Sequence, residues 1–195
     1  MTDIIKDSTY SYRKDFRTED KMKANLASGF EAETYVINKF KTTLKHISAI
    51  KWTENSSSEV NSNPDLSFSR KNAHVKVEIQ FASKSFTGYG NKNYPALAEL
   101  GPVFHIKEHK VKKLQEFSNL SDNHHAYLAH VRMEDGVYAI YLIDKFDKMV
   151  HHSCVPFGGK MGYVVSEELN LTPNNSFDEQ IKHIKLKLKG VDSNG

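Results

Sequence analysis

The chain has one cysteine, Cys154, among 195 residues. That excludes an internal disulfide and a cysteine-based zinc site, and a cytoplasmic location is the simplest expectation. No apolar run approaches the ~18 residues that span a membrane. The opening Met1-Thr2-Asp3-Ile4-Ile5-Lys6-Asp7 lacks the charged and apolar regions of a signal peptide. Internal repeats and low-complexity blocks are absent, so solenoids and fibrous arrays are excluded. Excess charge is scarce too: a net charge of +3 permits nucleic-acid binding without requiring it. Gly158-Gly159-Lys160-Met161-Gly162 lacks the spacing and the Ser/Thr of a phosphate-binding loop.

What is present is a chain able to bury a core, 38% hydrophobic and 11% aromatic. Residues 1–17 read as a polar and aromatic arm. Thr18, followed by Glu19 and Asp20, predicts a helix start. That helix runs to about Lys45, with a break near Ser28-Gly29 and an apolar stripe of Phe30, Ile37, Phe40 and Leu44. Strands follow at 46–53, 65–70 and 74–82, the last two joined by a turn at Lys71-Asn72. A helix is predicted over 106–117 with Val111, Leu114 and Phe117 inward. Strands at 126–133 and 137–143 flank a turn at Glu134-Asp135-Gly136. Residues 151–165 read as a loop. Ser176-x-x-Glu179 has the form of a capping box opening a last helix, which carries Phe177, Ile181, Ile184 and Leu188 and ends at Gly190. Together these elements predict a single α/β (α+β) domain over 1–195, a central mixed sheet flanked by helices. Its core spans about 26–143, with a C-terminal loop and helix over 144–195.

Three carboxylates stand out. Asp65 opens one strand and Glu78 lies thirteen positions later on the polar face of the next, between Lys76 and Gln80. A hairpin would bring the two acids together. Glu33 falls on the apolar stripe of the first helix, where a carboxylate is costly unless something pairs with it. Gathered carboxylates at one end of a small sheet are the oxygen ligands a divalent cation needs.

Glu33, Pro64-Asp65 and Glu78-Ile79-Gln80 resemble the motif of the PD-(D/E)xK nuclease superfamily, in the same order. The resemblance covers about three fifths of the chain. It implies a restriction-endonuclease-like core and a Mg²⁺ site, with Mn²⁺ as an alternative ion, held directly by Asp65, Glu78 and the Ile79 carbonyl, with Glu33 holding a metal-bound water or a second ion. It departs at Gln80, where the family usually has lysine, although some active restriction enzymes of the superfamily carry glutamine there. Glutamine can orient a water but cannot act as a general base near neutral pH. Lys76, on the same strand face, is the first candidate to supply the missing charge, and Lys84 a weaker one.

Other groups read as nucleic-acid contacts. The loop 86–94 supplies Tyr89, Asn91, Lys92 and Asn93, and Lys84, Lys107 and Lys110 could track phosphates. His105 and His109, four apart, lack the glutamate of a His-Glu-x-x-His site, and His124-His125 and His151-His152 read as loop pairs. The function expected is a Mg²⁺-dependent endonuclease acting on DNA, of restriction type and a homodimer, since two centres cut two strands. Two alternatives stand beside it. One is a structure-specific nuclease such as a Holliday junction resolvase or a phage recombination or repair nuclease. The other is a catalytically inactive nucleic-acid-binding domain of the same fold.

Overall fold

The computed structural model describes residues 19–54, 65–82, 103–106, 108–134, 136–146, 162–165 and 173–190. Within them the chain forms α1 (Glu19–Leu44), β1 (Lys51–Glu54), β2 (Leu66–Arg70), β3 (Ala73–Ala82), β4 (Val103–Ile106), α2 (Glu108–Ser118), β5 (His124–Glu134), β6 (Val137–Ile143), β7 (Gly162–Val165) and α3 (Pro173–Lys189). Five strands make a mixed sheet in the order β1-β2-β3-β5-β6. β3 and β5 are parallel and the other neighbours antiparallel. β4 and β7 form a separate antiparallel pair.

The alternation of each strand assigns the two faces of the sheet. Leu66, Phe68, Val75, Val77, Ile79, Tyr127, Ala129, Val131, Ile140 and Leu142 point to one face. There they pack with Ala32, Val36, Phe40 and Leu44 of α1 and with Phe177, Ile181, Ile184 and Leu188 of α3. On the other face Ala126, Leu128, Tyr141 and Ile143 meet Val111 and Leu114 of α2. The result is the expected mixed sheet with helices on both sides. Phe40 sits where layers meet, its ring 5.9 Å from Phe68 and 5.4 Å from Phe177. Arg70 ties the hairpin end to its surroundings, donating from Nε to the Ser48 carbonyl at 2.8 Å and from Nη1 to the Leu188 carbonyl.

Several local expectations are corrected. α1 is continuous through Ser28-Gly29, since one helical glycine costs only about 1 kcal/mol. Its buried stripe is Ala32, Val36, Phe40 and Leu44, spaced by four. Phe30, about 120° round the helix from Val36 at 100° per residue, is 40% exposed. The strand expected from residue 46 begins at Lys51. A turn precedes it, with Ile47 N–H donating to the Leu44 carbonyl and Ala49 at φ 62°. β4 and β7 are each four residues long; of β4 only Ile106 falls in the helix expected over 106–117, and β7 falls in the loop expected over 151–165. Runs that short carry little periodicity. His124 and His125 open β5 instead of lying in a loop. α3 starts at Pro173, a residue suited to the first helical position, so Ser176 lies inside the helix. The turns at Lys71 (φ 53°) and Gly136 (φ 78°) and the helix end at Gly190 (φ 74°, N–H to the Lys187 carbonyl at 3.0 Å) fall where the sequence places them. Among the described residues, no helix is long and apolar enough to cross a membrane.

Candidate metal centre

The β2–β3 register brings the two acids together. Leu66 pairs with Val77, so one step outward Asp65 lies opposite Glu78. Asp65 folds back onto the neighbouring strand, where its Oδ2 accepts the Ile79 N–H at 2.6 Å. That bond fixes the carboxylate against the β3 backbone. Glu78 is 8% exposed, on the α2 side of the sheet. Burial raises its pKa above the ordinary carboxylate value. The Lys110 ammonium opposes that shift, and the Asp65 charge adds to it.

Lys110 of α2 completes the cluster. Its Nζ lies 2.6 Å from Glu78 Oε2 and 3.7 Å from Asp65 Oδ2, and donates to the Ile79 carbonyl at 3.5 Å. Burial alone would lower the Lys110 pKa. The charges of Asp65 and Glu78, with Glu33 contributing, outweigh it and leave the ammonium held above its usual value. The shifts of the two partners point opposite ways, one toward a neutral carboxyl and one toward a charged amine. The 2.6 Å contact is the short separation of a charge-assisted hydrogen bond, so the ammonium is charged and the burial of Glu78 is the cost it offsets.

The three expected direct ligands, Asp65, Glu78 and the Ile79 carbonyl, thus surround one cation, the Lys110 ammonium. Two carboxylates and a carbonyl are hard oxygen donors, the set Mg²⁺ takes alongside waters and phosphate oxygens. The donor chemistry therefore fits a divalent ion. Glu33 does not complete a three-carboxylate group: among the described residues, no three His, Cys, Asp or Glu side chains gather closely enough to hold a metal. Glu33 is half-buried, one residue past Ala32 on the flank of the α1 stripe. Its charge acts on the centre by helping to raise the Lys110 pKa.

Gln80 is half-buried on the same strand face, level with His130 of β5. Lys76 points elsewhere, its Nζ 4.3 Å from the centre of the Phe117 ring. Beside Glu78 a cleft of about 320 Å³ opens, lined by Lys76, Lys113, Leu114, Phe117 and Leu120 among others. Lys84, Tyr89, Asn91, Lys92, Asn93 and Lys107 lie outside the described residues, as do His151, His152 and the side chains of His105 and His109.

Sequence reasoning missed three residues at this end of the sheet. Lys110 was read as a phosphate contact, yet it lies about 40° from the middle of the Val111–Leu114–Phe117 stripe at 100° per residue. A lysine on an apolar stripe is the same signal that drew attention to Glu33. His130 and Arg132 are 0% and 3% exposed. They continue the polar side of the sheet past Glu78 and Gln80, because β5 runs parallel to β3 with Gln80 opposite His130 and Ala82 opposite Arg132. A central parallel strand is normally apolar on both faces, so two ionisable groups there could have been flagged.

No family model matches the sequence, and no curated protein matches it. Among solved structures, the fold is similar to that of Hjc, a Holliday junction resolvase from the archaeal hyperthermophile Archaeoglobus fulgidus. The similarity has a TM-score of 0.44 at 9% identity, over 75% of this chain and 91% of that one.

Proposed function

We propose that the chain is a Mg²⁺-dependent endonuclease that hydrolyses phosphodiester bonds of DNA. One observation carries this reading: Asp65, Glu78 and the Ile79 carbonyl converge on a single cation position at the edge of an open cleft. A divalent ion held there by Asp65, Glu78 and the Ile79 carbonyl would supply Lewis acidity toward a phosphate oxygen and would acidify water. The chain's own part is to hold the ion and shape its surroundings. The Ile79 N–H keeps Asp65 aimed inward. Glu78 brings a carboxylate whose burial a cation beside it offsets. Gln80 can orient a water through its amide without taking a proton. Lys76 and Lys113 line the cleft together with Glu78 and Glu116, so its wall carries charges of both signs.

The restriction-type substrate goes with the Glu-x-Gln form of the motif. Branched DNA goes with the fold, since the solved structure it is similar to is described as a Holliday junction resolvase. Incubating the protein with plasmid, linear duplex and four-way junction DNA, each with Mg²⁺, Mn²⁺ or EDTA, separates them. Discrete bands from linear duplex mark a sequence-specific enzyme. Cutting confined to junctions marks a structure-specific one. Binding without metal-dependent cutting of any substrate refutes the nuclease reading and leaves a nucleic-acid-binding domain of the same shape. The homodimer belongs to the same proposal, and sedimentation with and without DNA tests it.

A further inference from the structure

Lys110 is in an unusual position. A lysine that only tracked DNA phosphates would extend into solvent, yet this one leans from α2 across the sheet face and places its ammonium among the three oxygens proposed above as metal ligands. Its distances to Glu78 Oε2, Asp65 Oδ2 and the Ile79 carbonyl are 2.6, 3.7 and 3.5 Å. Two carboxylates that close repel one another and need a cation between them. The chain supplies that cation itself, on a flexible four-carbon stem. The apolar residues that follow Lys110, Val111 and Leu114, are each 2% exposed and anchor the helix, so the stem is the part free to swing.

We infer that Lys110 is a tethered counter-cation of this centre. It holds Asp65, Glu78 and the Ile79 carbonyl in place while no metal is bound, and it yields the position when a divalent ion enters. This rests on the metal-site reading of the preceding section and adds a property to it: metal affinity is set by competition with a lysine of the same chain. Ammonium and divalent ion cannot share the position, because both need the same oxygens.

The test is Mn²⁺ binding, followed by calorimetry and by the paramagnetic resonance of the free ion, in the parent protein, Lys110→Met and Lys110→Arg. Lys110→Met should bind Mn²⁺ about tenfold more tightly or better, the factor equivalent to losing one competing charge-assisted contact. Lys110→Arg, which keeps the charge, should stay near the parent. A second readout needs no variant: acylation of Lys110 in the parent, mapped by mass spectrometry, should rise when Mg²⁺ is added. Equal Mn²⁺ affinity in parent and Lys110→Met, or Lys110 labelling that does not respond to saturating Mg²⁺, overturns the inference and leaves the metal site standing. Absence of Mn²⁺ binding in parent and variants alike overturns the metal site and the inference with it.

Discussion

Asp65 offers a way to separate folding from chemistry at one atom. Its Oδ2 accepts the Ile79 N–H at 2.6 Å and lies 3.7 Å from Lys110 Nζ. Asp65→Ala removes that acceptor and leaves the Ile79 N–H without it, at a cost of about 1–3 kcal/mol. It also removes a negative charge that raises the Glu78 pKa, a relief that offsets part of the cost because the side chain is only 18% exposed. The expected net loss is about 1–2 kcal/mol. Asp65→Asn keeps an acceptor of the same shape, so its loss should fall below about 1 kcal/mol. The amide has no charge to offer a divalent ion, however, and Mg²⁺-dependent cutting should be abolished in both variants. Urea denaturation gives the stability change from the midpoint at constant slope, and junction and plasmid cleavage give the activity. Full activity in Asp65→Asn would refute the placement of the metal. A stability loss in Asn equal to that in Ala would refute the assignment of the Ile79 hydrogen bond as what orients Asp65.

Three further outcomes follow from the structure. Phe40, 0% exposed and in ring contact with Phe68 and Phe177, should cost about 3–5 kcal/mol when replaced by alanine, read by the same denaturation. Lys76→Met should leave Mn²⁺ affinity unchanged and cost about 0.5–1 kcal/mol through the lost contact with Phe117; a weakened metal affinity would return Lys76 to the centre. His125 has its pKa held below the imidazole value of 6.5 by burial, with Lys187 and His124 adding to it. The unfolded chain therefore binds a proton more readily than the folded one. The stability this contributes is complete above about pH 6.5 and is lost as pH falls through the depressed value. Glu78 and Asp144, both raised by burial, act in the opposite sense: the cost of their charged forms fades as pH drops toward ordinary carboxylate values. The comparison of parent with His125→Gln isolates the histidine. The variant should lose less stability than the parent on going from pH 7 to pH 5, and an equal loss would refute the assignment.

The strands were legible because their alternation is strict. Leu66 and Phe68 on β2, and Val75, Val77 and Ile79 on β3, show a period of two in the sequence and are buried on one face. From that parity alone Asp65 and Glu78 had to share the opposite face, and the hairpin turn at Lys71-Asn72 had to bring them near. The first helix was harder. Phe30 and Ile37 are more hydrophobic than Ala32 and Val36, so weighting by hydrophobicity turned the stripe away from its true axis. Packing selected the smaller residues, which let α1 lie close on the sheet. β4 and β7 were hidden because four residues next to a helix or a glycine-rich stretch show no usable period. Lys110 was hidden by its neighbours: in Lys107, Lys110, Lys112 and Lys113 a basic run reads as a solvated face, and only its angle against Val111 and Leu114 distinguishes it.

The topology explains why a lysine of α2 comes to lie beside Glu78. β3 and β5 are parallel neighbours, so the chain leaving Ala82 must return to the starting end of the sheet before His124. α2 lies on that return path, and its apolar side covers Ala126 and Leu128 on the face that carries Glu78. A residue on the inner side of α2 is therefore bound to come close to β3, whatever stands at position 80. A lysine two residues after Glu78 would point along the same strand face and be held by the strand itself. One on α2 approaches from above, along a stem that can retract while helix and sheet stay fixed. Under the inference drawn above, a helix-borne ammonium keeps a positive charge beside the acids and can withdraw along its stem when a divalent ion enters, and it is the comparison of parent with Lys110→Met that tests this.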